Sequence, residues 1–272
     1  MESTIFENSA DYVQSLARGL QVLRAFDREL ANPSLSQVAE RTGLSRAVAR
    51  RLLLTLQHLG YVGSQGRSFY LTPRVLELGY SYLTSLDLTE LAQQSLALLA
   101  ERVGESCSMS VLDGHDIVYV LRVPVRRVMS IALGVGARLP AYATSMGRAI
   151  LAGMPEAELA QWLRGQKLRA MTPYTVRTAT ALKAEIKRAR ELGYALVSRE
   201  LEVGLLALAV PIRTADGSIV AALNVGMPYS EDAQARAIKL ILPAMRDAQR
   251  SIEHAIQHGG WQPHMAMLSV YG

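Results

Sequence analysis

Four arginines stand where cationic side chains can meet a phosphate or a guanine edge: Arg46, Arg50, Arg51 and Arg67. Arg46 and Arg50 are four residues apart, so on a helix they share a face, and the small Ala47 beside them permits close approach. Arg51 falls on the flank of that helix, and Arg67 lies in the polar stretch Ser64-Gln65-Gly66-Arg67-Ser68.

Residues 34–59 read as two helices joined by a tight turn. Ser36 is expected to cap the first, with Gln37 and Arg41 on its polar side and Val38 and Ala39 facing inward. Gly43 makes the turn, since only glycine takes positive φ at little cost. Ser45 is the expected cap of the second helix. At a helical period Leu44, Val48, Leu52, Thr55, Leu56 and Leu59 share one face, opposite Arg46 and Arg50. Tyr61-Val62-Gly63 and Phe69-Tyr70-Leu71 then read as two short strands with Arg67 at the tip of their turn. The whole is a winged helix-turn-helix, a device that places its second helix in the DNA major groove. Its expected DNA contacts are Ser36, Gln37, Ser45, Arg46, Ala47, Arg50, Arg51 and Arg67. The competing reading is a helical hairpin with a solvated basic face, which does not account for the ordered set of turn glycine, cap serine, basic face and trailing hairpin.

The chain has 272 residues, enough for roughly two domains. Half of them are hydrophobic, which excludes a disordered chain. A net charge of +5 favours nucleic acid over acidic partners, but alone it decides nothing. The lone Cys107 excludes an internal disulfide framework and fits a reducing compartment, as a buried apolar group or a reactive thiol. No apolar run resembles a signal peptide or reaches the roughly 18 residues of a bilayer span. A cytoplasmic protein with no membrane partner is expected.

Residues 12–30 read as a helix supporting the winged unit, with Val13, Leu16, Leu20, Leu23 and Phe26 on one face that also suits a dimer contact. The expected divisions are 1–72 for the DNA-binding domain, 73–87 for a connecting helix (Arg74 to Leu86), 88–258 for a second domain and 259–272 for a tail. Within the second domain a helix over 88–103 ends at Gly104. Cys107–Leu112, Ile117–Val123 and Val128–Leu133 read as strands, with Asp113-Gly114 turning between the first two. Helices follow over 144–153, 156–163 and 181–192, then strands over 195–200, 205–212 and 219–227. One long helix over 230–257, interrupted at Pro243, closes the domain. The hairpins predict α+β architecture with a mixed, largely antiparallel sheet of about six strands.

The chain resembles the IclR-type bacterial transcription regulators from Val13 to about His258. The resemblance rests on Ser15-Leu16-Ala17-Arg18-Gly19-Leu20, on the winged unit, and on Tyr70-Leu71-Thr72-Pro73-Arg74-Val75-Leu76-Glu77-Leu78-Gly79. In the second half it rests on the run from Gly136 to Ala149 and on Gly204-Leu205-Leu206-Ala207-Leu208-Ala209-Val210-Pro211. The wording Leu139-Pro140-Ala141-Tyr142-Ala143-Thr144-Ser145-Met146-Gly147-Arg148 is most similar to the subgroup controlling aromatic-acid catabolism, at the protocatechuate, 4-hydroxybenzoate and β-ketoadipate steps. The resemblance implies a GAF-like C-terminal domain that binds a small organic acid, a homodimer or tetramer on double-stranded promoter DNA, and RNA polymerase as a partner where a member activates. No cofactor is implied.

Carried onto this chain, the family's effector site implies Thr144, Ser145 and Met146, with Ala207 and Asn224 on later strands; Arg122 and Arg138 are the candidate carboxylate partners. Each has a structural alternative. Arg138 can anchor a loop, Arg122 can end a strand at the surface, Thr144 can cap a helix, Met146 can be core, and Asn224 can face solvent. A regulator of another small-acid pathway, with a pyruvate- or glyoxylate-like effector, is the nearest alternative. An enzyme is the alternative from another class. Against it, His254 and His258 are the one histidine pair at metal-ligand spacing and lack a supporting carboxylate motif, and Gly134-Val135-Gly136 lacks the third glycine of a dinucleotide loop. No metal site and no catalytic residue is expected.

Overall fold

The computed structural model describes residues 6–7, 9–27, 29–79, 88–125 and 133–258. The chain divides into two compact units, 1–84 and 85–272.

In the first unit α1 (Gln14–Arg24), α2 (Leu35–Thr42) and α3 (Arg46–His58) precede β1 (Val62–Gln65) and β2 (Ser68–Leu71). Their core is Val22, Phe26, Val38, Leu53, Leu56 and Val62. Several expectations need correction. Helix α1 stops at Arg24 rather than near Leu30, because the Asp27 carboxylate accepts the amides of Glu29 and Leu30, each at 2.9 Å, and holds a turn there. The inward face of α3 is carried by Ala49, Leu53 and Leu56, while Thr55 and Leu59 are exposed. The run Leu52-Leu53-Leu54 is apolar on three sides of the helix, so periodicity alone could not fix its rotation.

Ser34, not Ser36, caps α2. The Ser34 hydroxyl accepts from the Gln37 amide, and the Gln37 side chain accepts the Ser34 amide at 2.9 Å, a reciprocal capping box. Ser36 lies exposed in the first turn. The wing is longer than expected and its turn shorter. Gln65 pairs with Ser68, leaving a two-residue Gly66-Arg67 turn with Gly66 at φ 61°. The Phe69 amide donates to the Pro33 carbonyl at 2.8 Å, which ties the wing to the start of α2. Residues 75–79 are helical; the rest of the expected connecting helix lies outside the described residues, as do the 259–272 tail and most of the expected strand over 128–133.

The second unit is a six-stranded sheet with helices on both faces. Its strands are β3 (Ser106–Asp113), β4 (Asp116–Val123), β5 (Arg138–Pro140), β6 (Ala195–Ser198), β7 (Leu205–Arg213) and β8 (Ile219–Pro228), in the order β5-β4-β3-β8-β7-β6. Every pairing is antiparallel, so the sheet is not mixed. The edge strand is Arg138–Pro140, placed by Leu139 opposite Ile117. Pro140, with no amide to offer, is tolerated at that edge. Helices α4 (Leu88–Val103) and α8 (Leu242–His258) pack on one another and cover one face, against Cys107, Met109, Leu208, Leu223 and Val225. A short 3-10 turn (Ala141–Ala143), α5 (Ser145–Leu151), α6 (Glu156–Arg164) and α7 (Ala179–Leu192) lie on the other side of the sheet. Ahead of α8, Ala233–Arg236 continues through a π turn, Ala237–Ile241. Pro243 has no amide to donate and its ring crowds the carbonyl four residues back, so a wider turn there relieves both.

Register decides what faces α5. Directly opposed residues of an antiparallel pair project to the same side of the sheet. Ser108 opposes both Arg122 and Asn224, and Gly226 opposes both Ser106 and Ala207. All six therefore share one face.

Candidate functional site

In the first unit, Gly43 takes φ 65° and releases the chain so that Ser45 can cap α3, accepting the Val48 amide at 3.3 Å. This fixes α3 with Arg46, Ala47, Arg50 and Leu54 on an exposed face. Arg46, Arg50 and Arg67 form no ion pair among the described residues, so their guanidinium groups are free for an anionic backbone. Arg51 is exposed on the flank, where it borders an apolar groove formed with Leu16, Leu20, Leu52 and Leu59. Gln37 is turned back into the α2 cap, where its side-chain oxygen is engaged by Ser34.

In the second unit the polar sheet face and α5 line a cavity of about 220 Å³. Six of the seven expected effector residues line it together: Arg122, Thr144, Ser145, Met146, Ala207 and Asn224. Thr144 caps α5, accepting the Gly147 amide at 3.2 Å. Met146 is 1% exposed and forms apolar wall. Arg122 is half-buried and donates to the Ser108 hydroxyl at 3.1 Å; among the described residues no carboxylate pairs with it. The Ser145 hydroxyl and the Asn224 carbonyl oxygen are buried with no hydrogen-bond partner. A buried polar atom without a partner costs about 1–3 kcal/mol, so two beside one cavity mark it as built for a polar guest.

Arg138 is not part of this site. It sits on the exposed edge strand, donating to Asp113 at 2.6 Å and Asp116 at 3.4 Å. With both carboxylates contributed by the β3–β4 hairpin, it clamps β5 to that hairpin and lines no part of the cavity.

Sequence reasoning missed Ser106, Ser108 and Tyr119, which also line the cavity. A signal existed for the serines. They alternate with Cys107 and Met109 on a strand buried on both faces, and polar residues there need something polar to meet. Burial pushes the Tyr119 phenol up to about 12, with the Arg122 charge opposing, so the hydroxyl stays a neutral donor. The Glu200 carboxylate, also on the cavity wall, was missed too. It forms a buried ion pair with Arg148 at 2.6 Å and accepts the Val176 amide at 2.9 Å. Its partner lies fifty-odd positions away, which no local pattern reveals.

Cys107 is fully buried, and burial, followed by the Glu105 charge, pushes its thiol up to about 12. It is held as the protonated, unreactive form. Among the described residues no three His, Cys, Asp or Glu side chains gather as a metal site, and no helix is long and apolar enough to cross a membrane.

Comparison with known proteins bears on both units. Residues 80–254 match the family described as bacterial transcriptional regulator IclR C-terminal, and residues 15–66 match the IclR helix-turn-helix domain. The Pca regulon regulatory protein of Pseudomonas putida is 40% identical over 252 residues, covering 92% of this chain and 87% of that protein. The p-hydroxybenzoate hydroxylase transcriptional activator of Acinetobacter baylyi is 36% identical over 251 residues, covering 90% and 93%. Among solved structures, an IclR homolog from Microbacterium hydrocarbonoxydans complexed with 4-hydroxybenzoate superimposes with a TM-score of 0.76 at 26% identity, covering 88% of this chain and 98% of that one.

Proposed function

From the premise that this chain belongs to the IclR family of bacterial transcriptional regulators, we propose that it controls aromatic-acid catabolic genes by binding a small aromatic carboxylate in its second unit. The observation that carries this reading is the pair of partnerless buried atoms, Ser145 Oγ and Asn224 Oδ1, in one cavity with Arg122. A hydroxybenzoate supplies what each lacks. Its carboxylate accepts from Arg122 and from the Ser145 hydroxyl. Its phenol donates to the Asn224 oxygen, and its ring lies against Met146 and Ala207. Across the sheet, Ser108 separates Arg122 from Asn224 by one strand on either side, so the two polar ends stand about 10 Å apart at the backbone. The cavity is smaller than the roughly 300–1,000 Å³ of sites for drug-sized ligands, which suits a single-ring acid.

The DNA contacts of this reading are Arg46, Ala47 and Arg50 in the major groove, with Ser36 and Arg51 at the flanking phosphates and Arg67 reaching from the wing. Leu16, Leu20 and Leu59 are exposed along the groove between α1 and α3, and a second copy of the chain would cover them, matching promoter half-sites with paired reading heads. The working protein is then a cytoplasmic dimer or tetramer, with RNA polymerase as a further partner if it activates. Ligand alters transcription only by binding two arrangements of the protein with different affinity.

Calorimetric titration with 4-hydroxybenzoate, protocatechuate, β-ketoadipate, pyruvate and glyoxylate tests the reading, followed by promoter binding with and without the hit. Saturable binding of a ring acid is expected. Binding of pyruvate or glyoxylate alone moves the protein to the other small-acid reading, and tight binding with no effect on DNA affinity or transcription removes the coupling.

A further inference from the structure

A second concavity, of about 700 Å³, lies on the outside of the sensor unit. His115, Tyr142, Lys167, Arg169 and Met171 form its walls. Lys167 and Arg169 are exposed and form no ion pair among the described residues, whereas Asp116, at the same rim, is engaged by Arg138. The rim therefore carries net positive charge. Among the described residues, Leu201 alone lines both this concavity and the inner cavity.

The partition between the two spaces has a fixed part and a loose part. The fixed part is the backbone at Tyr142. Its carbonyl accepts from buried Arg148 at 3.0 Å, and its hydroxyl donates to the Arg169 carbonyl at 2.9 Å. The loose part is the Leu201 side chain, half-buried at the first position beyond a heavily pinned segment. Arg199 takes φ 63°, and its guanidinium is stacked between the rings of Tyr174 and Tyr229, at 3.9 and 4.3 Å. The Arg199 and Glu200 carbonyls each accept a threonine hydroxyl at 2.7 Å, from Thr172 and Thr175. Beyond Leu201 the chain is pinned again, with Gly204 accepting the Tyr229 amide at 2.8 Å. With the backbone held on both sides, the Leu201 side chain is the part of the partition left to change rotamer, a motion far faster than loop opening.

We propose that Leu201 is the gate through which an anionic ligand passes from an outer vestibule, where Lys167 and Arg169 attract it, to Arg122 inside. This rests on the carboxylate reading of the inner cavity. A gate and a plain wall contact differ in kinetics. Substitutions that only change contact with bound ligand act mainly on koff, whereas a gate lies on the path in both directions.

Stopped-flow binding of 4-hydroxybenzoate to the full chain and its variants distinguishes the two. In Leu201→Ala both kon and koff should rise, by about tenfold, and in Leu201→Phe both should fall, within the roughly one to three decades by which kon varies among related complexes. The double variant Lys167→Gln/Arg169→Gln should lose about tenfold in kon at low salt, together with its salt dependence, while koff stays put. Its kon for uncharged 4-hydroxybenzamide should not change. Parent-like kon in the Leu201 variants, with koff alone altered, overturns the gate and leaves the carboxylate reading intact. Parent-like kon and salt dependence in the double variant overturns the vestibule. Failure of the parent itself to bind 4-hydroxybenzoate removes the carboxylate reading, and the gate with it.

Discussion

The two units place their polar working groups on opposite sides of the core. In the DNA-reading unit Arg46, Arg50 and Arg67 stand outside a compact core of Val22, Phe26, Val38, Leu53, Leu56 and Val62. In the sensor unit Ser108, Ser145, Arg148, Glu200 and Asn224 are all buried. An exposed arginine is solvated in the absence of DNA and adds little to folding. A buried hydroxyl or amide must be satisfied from within or wait, at a cost, for a ligand. Function and stability are therefore separable in the first unit and fused in the second.

The largest test of that contrast is Arg148→Ala. It leaves the Glu200 carboxylate buried without its cation, and urea unfolding of the sensor unit should lose about 3–5 kcal/mol. A loss under about 1 kcal/mol would mean that Glu200 is readily rehydrated through the cavity it borders. Next comes Asn224→Leu, where the two quantities should move in opposite directions. Replacing an atom with no partner should leave the unliganded protein as stable or more so, while ligand affinity falls by about 1–3 kcal/mol, the cost of one unmade hydrogen bond. Destabilisation of the ligand-free form would show that the Asn224 oxygen is satisfied there.

On the other side of the comparison, Arg50→Ala should weaken promoter binding by about 1–3 kcal/mol if it reads a base. Its unfolding free energy should stay within about 0.5 kcal/mol of the parent, because the side chain packs against nothing in the core. Equal DNA affinity in mutant and parent would take Arg50 out of the interface. A smaller effect belongs to the start of α2. Ser34→Ala removes the hydroxyl that caps Gln37 and should cost about 1 kcal/mol, whereas Ser36→Ala should be close to neutral. The reverse order would restore Ser36 as the cap.

What the sequence reveals follows the same division. The reading head is local: turn glycine, cap serine and basic face fall within a dozen residues, so pattern alone recovers the helix-turn-helix and Ser45. Its errors are also local. Ser34 and Ser36 are both plausible caps, and only the glutamine three positions after Ser34 separates them. Leu52-Leu53-Leu54 hides which way α3 is turned. Five of the sensor's six strands were legible from their hairpin turns and alternation; the three-residue edge strand Arg138–Pro140 was not, being too short to show a period. Its cavity was half legible. Resemblance brought forward Thr144, Ser145 and Asn224, and a strand end suggested Arg122. Ser108 emerges only once β3 is known to lie between β4 and β8, and the Arg148–Glu200 pair joins residues that no periodicity connects.

Arg138 gives the smallest expected effect and the sharpest check on the boundary between the two kinds of site. By sequence it stands six residues before Thr144, close enough for a carboxylate partner of the cavity. Pairing of Val118 with Arg138 instead places it on an edge strand, where Asp113 and Asp116 hold it in solvent. Exposed ion pairs of this kind contribute from zero to about 1 kcal/mol, and salt screens them. Arg138→Ala should therefore lower unfolding stability by less than about 1 kcal/mol, with the difference shrinking as salt is added, and should leave the ligand titration superimposable on the parent's. Arg122→Ala, measured beside it, should abolish the same titration, because its guanidinium faces the cavity and meets no carboxylate among the described residues. If Arg138→Ala weakens ligand binding as much as Arg122→Ala does, the edge strand is part of the sensor after all, and the division between a solvated clamp and a buried receptor fails at that strand.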